Sequence, residues 1–366
     1  MVSPAGTVLV ARLDNAGDVL LQGPMVRAVA AGAQRVVFLA GPAGAEAAAL
    51  LPGVDEVWTW RCPWILGDPP RVDADDLAAL TDRVRALAPD AAVLSTSFHQ
   101  SPLPLALLLR AAGVARISAI SVDYPGSLLD VRHRVHDDLP EPERALSLAR
   151  AAGFELPDGD DGRLAVRRPL PPARHEHGGP DLSPGYIVLH PGASVPARAW
   201  PAQRCAEAVE ALTAAGHRVL VTGGPGEREL TAAVAGTSGV DLGGATTLPD
   251  MAALLDGAAA VVVGNTGPAH LAAAVGTPVV SLFAPVVPAA RWAPYGVPTV
   301  LLGDQDAPCR DTRARECPVP GHPCLTSVTA EDVVAAVEKL VTVQQPAGLR
   351  TPAPSREAAA TIPGRT

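Results

Sequence analysis

Val261–Phe283 reads VVVGNTGPAHLAAAVGTPVVSLF. An apolar run meets Gly-Asn-Thr-Gly-Pro, a small-residue helical pattern follows, and a second apolar run closes the stretch. This order predicts a buried strand, a tight loop, a helix and the next strand of an α/β sheet. Such a loop opens at the carboxyl edge of the sheet, where ligands bind and where the first free N–H groups of a helix face an anion. Thr266 supplies a hydroxyl, Gly264 and Gly267 let a ligand approach the backbone, and His270 falls on the first helical turn. The stretch reads as a phosphate-binding site. The plainer alternative is an ordinary strand-to-helix turn with a core histidine.

The same architecture recurs near the start of the chain. Thr7–Leu13 (TVLVARL) predicts a buried strand, Asp14–Asp18 (DNAGD) a loop, and Val19–Ala31 a helical run. Pro24 fits a helix only in its first turn or at a kink, which leaves that boundary open. Between the two loops the predicted strands are Arg35–Ala40, Glu56–Trp60, Ala91–Ser95, Tyr186–His190, His217–Thr222 and Val240–Gly243. Helical patterns through Leu51 and over Asp75–Leu87, Ser101–Ala112, Ala202–Ala215 and Leu248–Leu255, with one ending at Ala235, alternate with them. Alternating strands and helices with ligand loops after the strands describe two Rossmann-like halves facing one cleft.

At 366 residues the chain is long enough for two domains, each with its own core. Residues 155–184 break the periodicity with Pro, Gly, Asp and Arg, and read as the interdomain connection. The expected division is a first domain over 1–165, a linker over 166–184, a second domain over 185–343 and a disordered tail over 344–366. His175 and His177 in that stretch read as solvated linker residues.

Aromatic residues are only 3% of the chain, so the packing must be close and aliphatic. Lys339 is the single lysine, so a phosphate clamp must be arginine or backbone. The formal net charge of -9, with no basic stripe, argues against nucleic-acid binding. The early apolar run is interrupted by Arg12, Asp14 and Asp18, and the later one carries Asp256, Asn265 and His270, so neither suits a signal peptide or a membrane span. The expectation is a cytoplasmic protein with at most peripheral membrane contact. Cys309, Cys317 and Cys324 lie in PCRDTRARECPVPGHPC with His322, at spacings without a CxxC knuckle. That segment reads as a structured surface loop, with a disulfide as one possibility and no metal expected. Arg61–Asp73 is irregular, and Trp58, Trp60 and Trp64 beside it form either an exposed sugar-stacking face or core filling.

Together these motifs resemble glycosyltransferase family 9, the ADP-heptose:lipopolysaccharide heptosyltransferases and their relatives. The matching pieces are RLDNAGDVLLQGPMVRAV at 12–29, HPGASVPARAWP at 190–201, TGGPGERE at 222–229, LGGATTLPDMAALL at 242–255, GNTGPAHLAAAVGTPVVSLF at 264–283 and the Cys loop ending PCLTSVTAEDV. The resemblance implies a GT-B fold, two Rossmann-like domains with the donor nucleotide-sugar held mainly by the second. It implies inversion at the anomeric carbon by direct attack of an acceptor hydroxyl, with ADP-heptose the favoured donor and a glycan, lipid-linked or natural-product acceptor.

Asp18 matches the family's catalytic aspartate, whose bland alternative is a helix cap. Asp14 is its local competitor and, with Trp60 and Trp64, an acceptor-side candidate. Ser194 and Arg198 match the hydroxyl and the cation on the diphosphate, with Arg where the family uses Lys. Ala193 stands where a second hydroxyl is common. Asn265 replaces the family's Asp, and Thr266, Gly267 and His270 match phosphate-loop residues. Glu227 matches a carboxylate on the ribose. No cofactor or metal requirement is implied. The competing readings are a nucleotide-sugar epimerase of the same fold and an inactive nucleotide-binding homologue. The lack of a G-x-G-x-x-G after the first strand argues against an NAD dehydrogenase.

Overall fold

The computed structural model describes residues 5–66, 68–135, 138–172 and 182–344. Valine-, leucine- and alanine-rich runs form two six-stranded sheets with every pairing parallel. The first contains β1 (Ala5–Arg12), β2 (Ala33–Ala40), β3 (Glu56–Thr59), β4 (Ala91–Leu94), β5 (Arg116–Ile120) and β6 (Val131–His133). The second contains β7 (Tyr186–His190), β8 (Val219–Gly223), β9 (Val240–Gly243), β10 (Ala258–Gly264), β11 (Val279–Leu282) and β12 (Thr299–Leu302).

The first sheet runs β3-β2-β1-β4-β5-β6 and the second β12-β11-β10-β7-β8-β9. Counted within its own half, each is a doubly wound 3-2-1-4-5-6 order. The strand order therefore reverses between β1 and β4 in one half and between β7 and β10 in the other. Ligands of open α/β sheets bind outside the carboxyl ends of strands at such reversals. The loops after β1 and β10 singled out in the sequence stand at these two places.

Several sequence expectations change. The helical run after β1 is two helices, Ala16–Leu20 and Gly23–Ala31, with Pro24 in the first turn of the second. A proline is tolerated there because the first-turn N–H has no helical partner. Gly17 and Asp18 therefore lie on a short helix instead of in a loop. Arg116–Ile120, Val131–His133 and the helix Glu141–Ala151 are elements the sequence patterns did not reveal. The first part of the expected connection is also packed: Leu164 and Val166 are buried, and Arg27 grips Asp160 at 2.5 Å. Arg168 then pairs with Asp256 of the second half, at 2.7 Å. His175, His177 and the tail from residue 345 lie outside the described residues.

The two halves meet where two helices begin. The helix Ala16–Leu20 packs on the helix Gly267–Val275, and a Cβ at Gly17 would lie 3.1 Å from Gly267 Cα and 3.1 Å from His270 Cδ2. Any side chain at Gly17 would therefore press on the facing helix. Among the described residues no helix is long and apolar enough to cross a membrane.

Gly17→Val forces branched carbons into that contact. Overpacking of this kind costs about 1–3 kcal/mol, read as a lowered midpoint in urea unfolding. A variant as stable as the parent would show that the halves do not touch there.

Candidate active site

Asp14, Asn15, Gly17 and Asp18 from the first half, and Ser194, Arg198, Asn265, Thr266, Gly267 and His270 from the second, line one cavity of about 530 Å³. Residues from the two ends of the sequence thus meet because both reversal points face the same space.

On the first half, Arg12 is the last residue of β1 and is wholly buried. Its guanidinium lies 2.6 Å from Asp14 Oδ2, donates to Asp18 Oδ1 at 2.9 Å, and donates to Ser97 Oγ at 2.8 Å and Ser95 Oγ at 3.3 Å. Glu141 Oε2 stands 3.9 Å away. Asp14 also accepts from Gln100 Nε2 at 2.6 Å. Asp18 keeps 24% of its side chain exposed, toward the cavity. Its carboxyl is raised to about 6, first by burial and further by Asp14 and Glu141, against the opposing pull of Arg12 and Arg198. A carboxylate poised near neutrality, with a wet face, suits a general base.

On the second half, β7 ends at His190, and Arg198 follows in the single turn Pro196–Arg198. Arg198 Nε is buried with no hydrogen-bond partner among the described residues. Burial and Arg315 pull the Arg198 guanidinium down from its usual value, while Asp18 opposes them. Asn265 Nδ2 is likewise buried without a partner. Thr266 caps the helix Gly267–Val275 without spending its side chain on the helix. Unspent donors around a helix N-terminus are the equipment of an anion site. His270 is buried and pushed down to about 4, first by burial and then by Arg198, so its imidazole is neutral at pH 7. A neutral ring beside Arg198 adds no charge of its own to a phosphate.

Glu227 stands one strand over, after β8. It accepts from Gly224 N at 2.7 Å and lies so close to Gly192 that a Cβ there would fall 2.0 Å from Oε1. It does not line the cavity that holds Asp18.

Trp60 is placed differently from its expected role. Trp58 and Trp60 are only 5% and 6% exposed, inside the first core, with Trp60 Nε1 donating to Asp76 at 2.8 Å. An apolar sheet face poor in aromatic residues drew them inward, so neither offers a ring to a sugar. Trp64 is half-buried and packs edge-on against Trp60 at 5.3 Å. The exposed part of Ile65 lines the cavity instead.

The cavity also contains residues that sequence reading missed. Ser97, Phe98, His99 and Gln100 follow β4, the strand beside β1 at the reversal point. The phrase TSFHQS after an apolar strand was their only signal. Arg313 and Arg315 come from the cysteine-bearing segment, and Arg313 lies 3.5 Å over the Phe98 ring. That segment is a largely exposed loop, structured as its reading expected. Cys309 and Cys324 are buried as thiols 3.9 Å apart, Arg315 O accepts from Ala197 N at 2.9 Å, and His322 Nε2 meets Ala197 O at 3.1 Å. It buttresses the turn that carries Arg198. Among the described residues no group of three or more His, Cys, Asp or Glu is placed to hold a metal ion.

Residues 84–322 match the family model of glycosyltransferase family 9 (heptosyltransferase). Lipopolysaccharide heptosyltransferase 3 of Escherichia coli is 31% identical over 175 residues, 45% of this chain and 49% of that protein. The chain thus spans about half the length of the curated relatives it matches. A glycosyltransferase family 9 structure from Veillonella parvula superposes with a TM-score of 0.73 at 17% identity, covering 94% of this chain and 99% of that one. The E. coli heptosyltransferase WaaC with ADP-2-deoxy-2-fluoro heptose gives 0.67 at 21% identity, covering 91% and 99%. The fold is therefore GT-B. With its family model matched over most of the two sheets, this chain belongs to glycosyltransferase family 9.

Proposed function

We propose that the protein is an inverting glycosyltransferase. It moves a heptose or related sugar from a nucleoside-diphosphate donor, with ADP-heptose favoured, to a hydroxyl of a glycan, lipid-linked or small-molecule acceptor. The observation that carries this reading is the pairing across one cavity of Asp18, held near neutrality, with the unspent donors of Arg198 and Asn265. The names of the relatives, heptosyltransferases of lipopolysaccharide, support the choice of sugar. WaaC with an ADP-heptose analogue supports the choice of nucleotide.

In this reading the acceptor hydroxyl gives its proton to Asp18 as its oxygen attacks the anomeric carbon. The bond to the diphosphate oxygen breaks on the opposite face, and the electron pair leaves with the diphosphate. Arg198, Ser194, Thr266 and the N-terminus of the helix Gly267–Val275 meet that charge. Glu227 takes the ribose hydroxyls at the far end of the donor. The groups at the leaving oxygen are a guanidinium, hydroxyls, an amide and backbone, so charge neutralisation is assigned to Arg198 and not to a divalent ion, which would seek carboxylates.

Asp18→Asn removes the proton acceptor and is expected to lower turnover by about 10²–10⁴ without loss of donor affinity. Below about pH 6 the wild-type rate should fall as Asp18 becomes protonated. The stability sign is opposite to that of a salt-bridged carboxylate. The native carboxyl is raised above its unfolded value, so the native state holds the extra proton, and stability declines as pH rises from the ordinary aspartate range to about 6. At pH 7.5 Asp18→Asn is therefore expected to melt no lower than the parent. Wild-type turnover in this variant would reduce Asp18 to a helix-end residue.

Arg198→Ala should weaken ADP binding by roughly 1.5–3 kcal/mol, the scale of a charge-assisted hydrogen bond, as measured by calorimetry. Unchanged affinity would move the clamp to Arg313 or Arg315.

Turnover of ADP-heptose with an acceptor is expected to survive exhaustive EDTA treatment. Activity lost to EDTA and restored by Mg²⁺ or Mn²⁺ would overturn the assignment of the leaving group to Arg198. The same assay run without acceptor separates transfer from epimerisation, since only an epimerase forms a new nucleotide-sugar from the donor alone.

A further inference from the structure

The carboxylates at the mouth of β1 share a single cation. Arg12 is fully enclosed; its Nη2 donates to Asp18 Oδ1 at 2.9 Å, and its Nε lies 2.6 Å from Asp14 Oδ2 as an ion contact without hydrogen-bond geometry. Ser97 Oγ takes the same Nη2 at 2.8 Å, and Ser95 Oγ takes Nη1 at 3.3 Å. Among the described residues Asp18 Oδ2 accepts no protein hydrogen bond. Asp18 thus has one oxygen fixed by the protein and one left to the cavity. We propose that Arg12 is the positioning residue of the base: its planar guanidinium hydrogen-bonds one oxygen of Asp18 while lying in ion contact with Asp14, fixes the Asp18 rotamer, and leaves Oδ2 to take the acceptor's proton.

Arg12 itself does not meet the substrate. Wholly buried, with its nitrogens turned to carboxylates and serines, it is not a diphosphate clamp. A lysine could not replace it. An ammonium is a point charge, whereas the guanidinium spreads its charge over a plane that meets Asp14 through Nε and Asp18 through Nη2. The serines complete the geometry, since both follow β4, the strand hydrogen-bonded to β1.

The other charged groups around the pair come from every element packed on it. Glu141 and Arg144 face it from the helix Glu141–Ala151, with Glu141 Oε2 at 3.9 Å from Arg12 and Arg144 balancing Glu141 at 3.5 Å. Arg198 faces Asp18 from the turn after β7, and the neutral His270 stands beside Gly17 on the opposing helix. His99 lies on the Asp14 side. With Asp14 and Glu141 both pushing Asp18 toward its protonated form, Arg12 is the nearest opposing charge. Losing it leaves three acidic groups around one buried space, and two like-charged carboxylates at such range do not both ionise near neutrality.

This inference rests on the reading of Asp18 as base, but its test does not need the acceptor. Aspartate carboxyl carbons are labelled with ¹³C, the Asp18 resonance is assigned by its absence in Asp18→Asn, and its titration midpoint is followed from pH 4 to 9. In wild type the midpoint is expected near 6. In Arg12→Met it should rise by about one pH unit or more, and in Arg12→Lys, which keeps the charge and loses the fork, by about half a unit. Melting temperature with and without ADP reports whether each variant is folded. A midpoint unmoved in folded Arg12→Met, or in Arg12→Lys alone should the methionine variant fail to fold, overturns the role of Arg12. Full turnover in Asp18→Asn would instead overturn the base itself and leave the titration result standing.

Discussion

The backbone contact of the two halves at Gly17 is the constraint from which the site follows. Gly17 and Gly267 lie at the starts of two facing helices, and it is at Gly17 that a side chain would press on the other helix. Because the two helix starts meet at that point, the residues just after Gly17 and just before Gly267 share one cavity. Asp18 and Thr266 are those residues. A methyl group at Gly17 would already crowd both Gly267 and His270, so the spacing of Asp18 and Thr266 is set by backbone contact, not by long side chains. Backbone contacts are stiff, and a reaction that tolerates little error in the distance between nucleophile and leaving group benefits from such stiffness.

The charge distribution follows the same geometry. Each half places its polar equipment at its own strand-order reversal, acidic in the first and cationic or dipolar in the second. A buried cation under the acidic side keeps it from collapsing into neutrality, and neutral His270 keeps the cationic side from becoming overcharged. Buried ion pairs are weak contributors to stability because desolvation offsets their attraction. The network around Arg12 is better explained by what it does to Asp18 than by what it adds to the fold. The cysteine-bearing segment serves the second half in a comparable way, since its Arg315 carbonyl and His322 hold the turn that carries Arg198.

The glycine-bearing turn between the strand Ala258–Gly264 and the helix Gly267–Val275, and the alternation of strands and helices, were legible because each depends on local pattern. A valine run, a glycine-bearing loop and a small-residue helix state their structure within about twenty residues. The tryptophans were not legible in this sense. A tryptophan beside a Pro-rich loop has the same sequence signature whether it faces a sugar or a core, and the shortage of other aromatic residues decided for the core. The helix break at Leu21–Gln22 also escaped, because Pro24 permits both a kink and a new first turn.

The sequence by itself determined the two Rossmann-like halves, the loops at their ligand edges and the family to which those loops belong. These follow from periodicity and turn chemistry, which act over neighbouring residues. Tertiary structure alone decided that Arg12 is buried beneath Asp14 and Asp18, that Ser97 and Gln100 hold the acidic cluster, and that Arg313 and Arg315 reach the cavity from the cysteine segment. Each of those facts depends on which strand lies beside which and on how far water is excluded. Both are set when distant segments pack, and neither leaves a mark on the residues next to them in the chain.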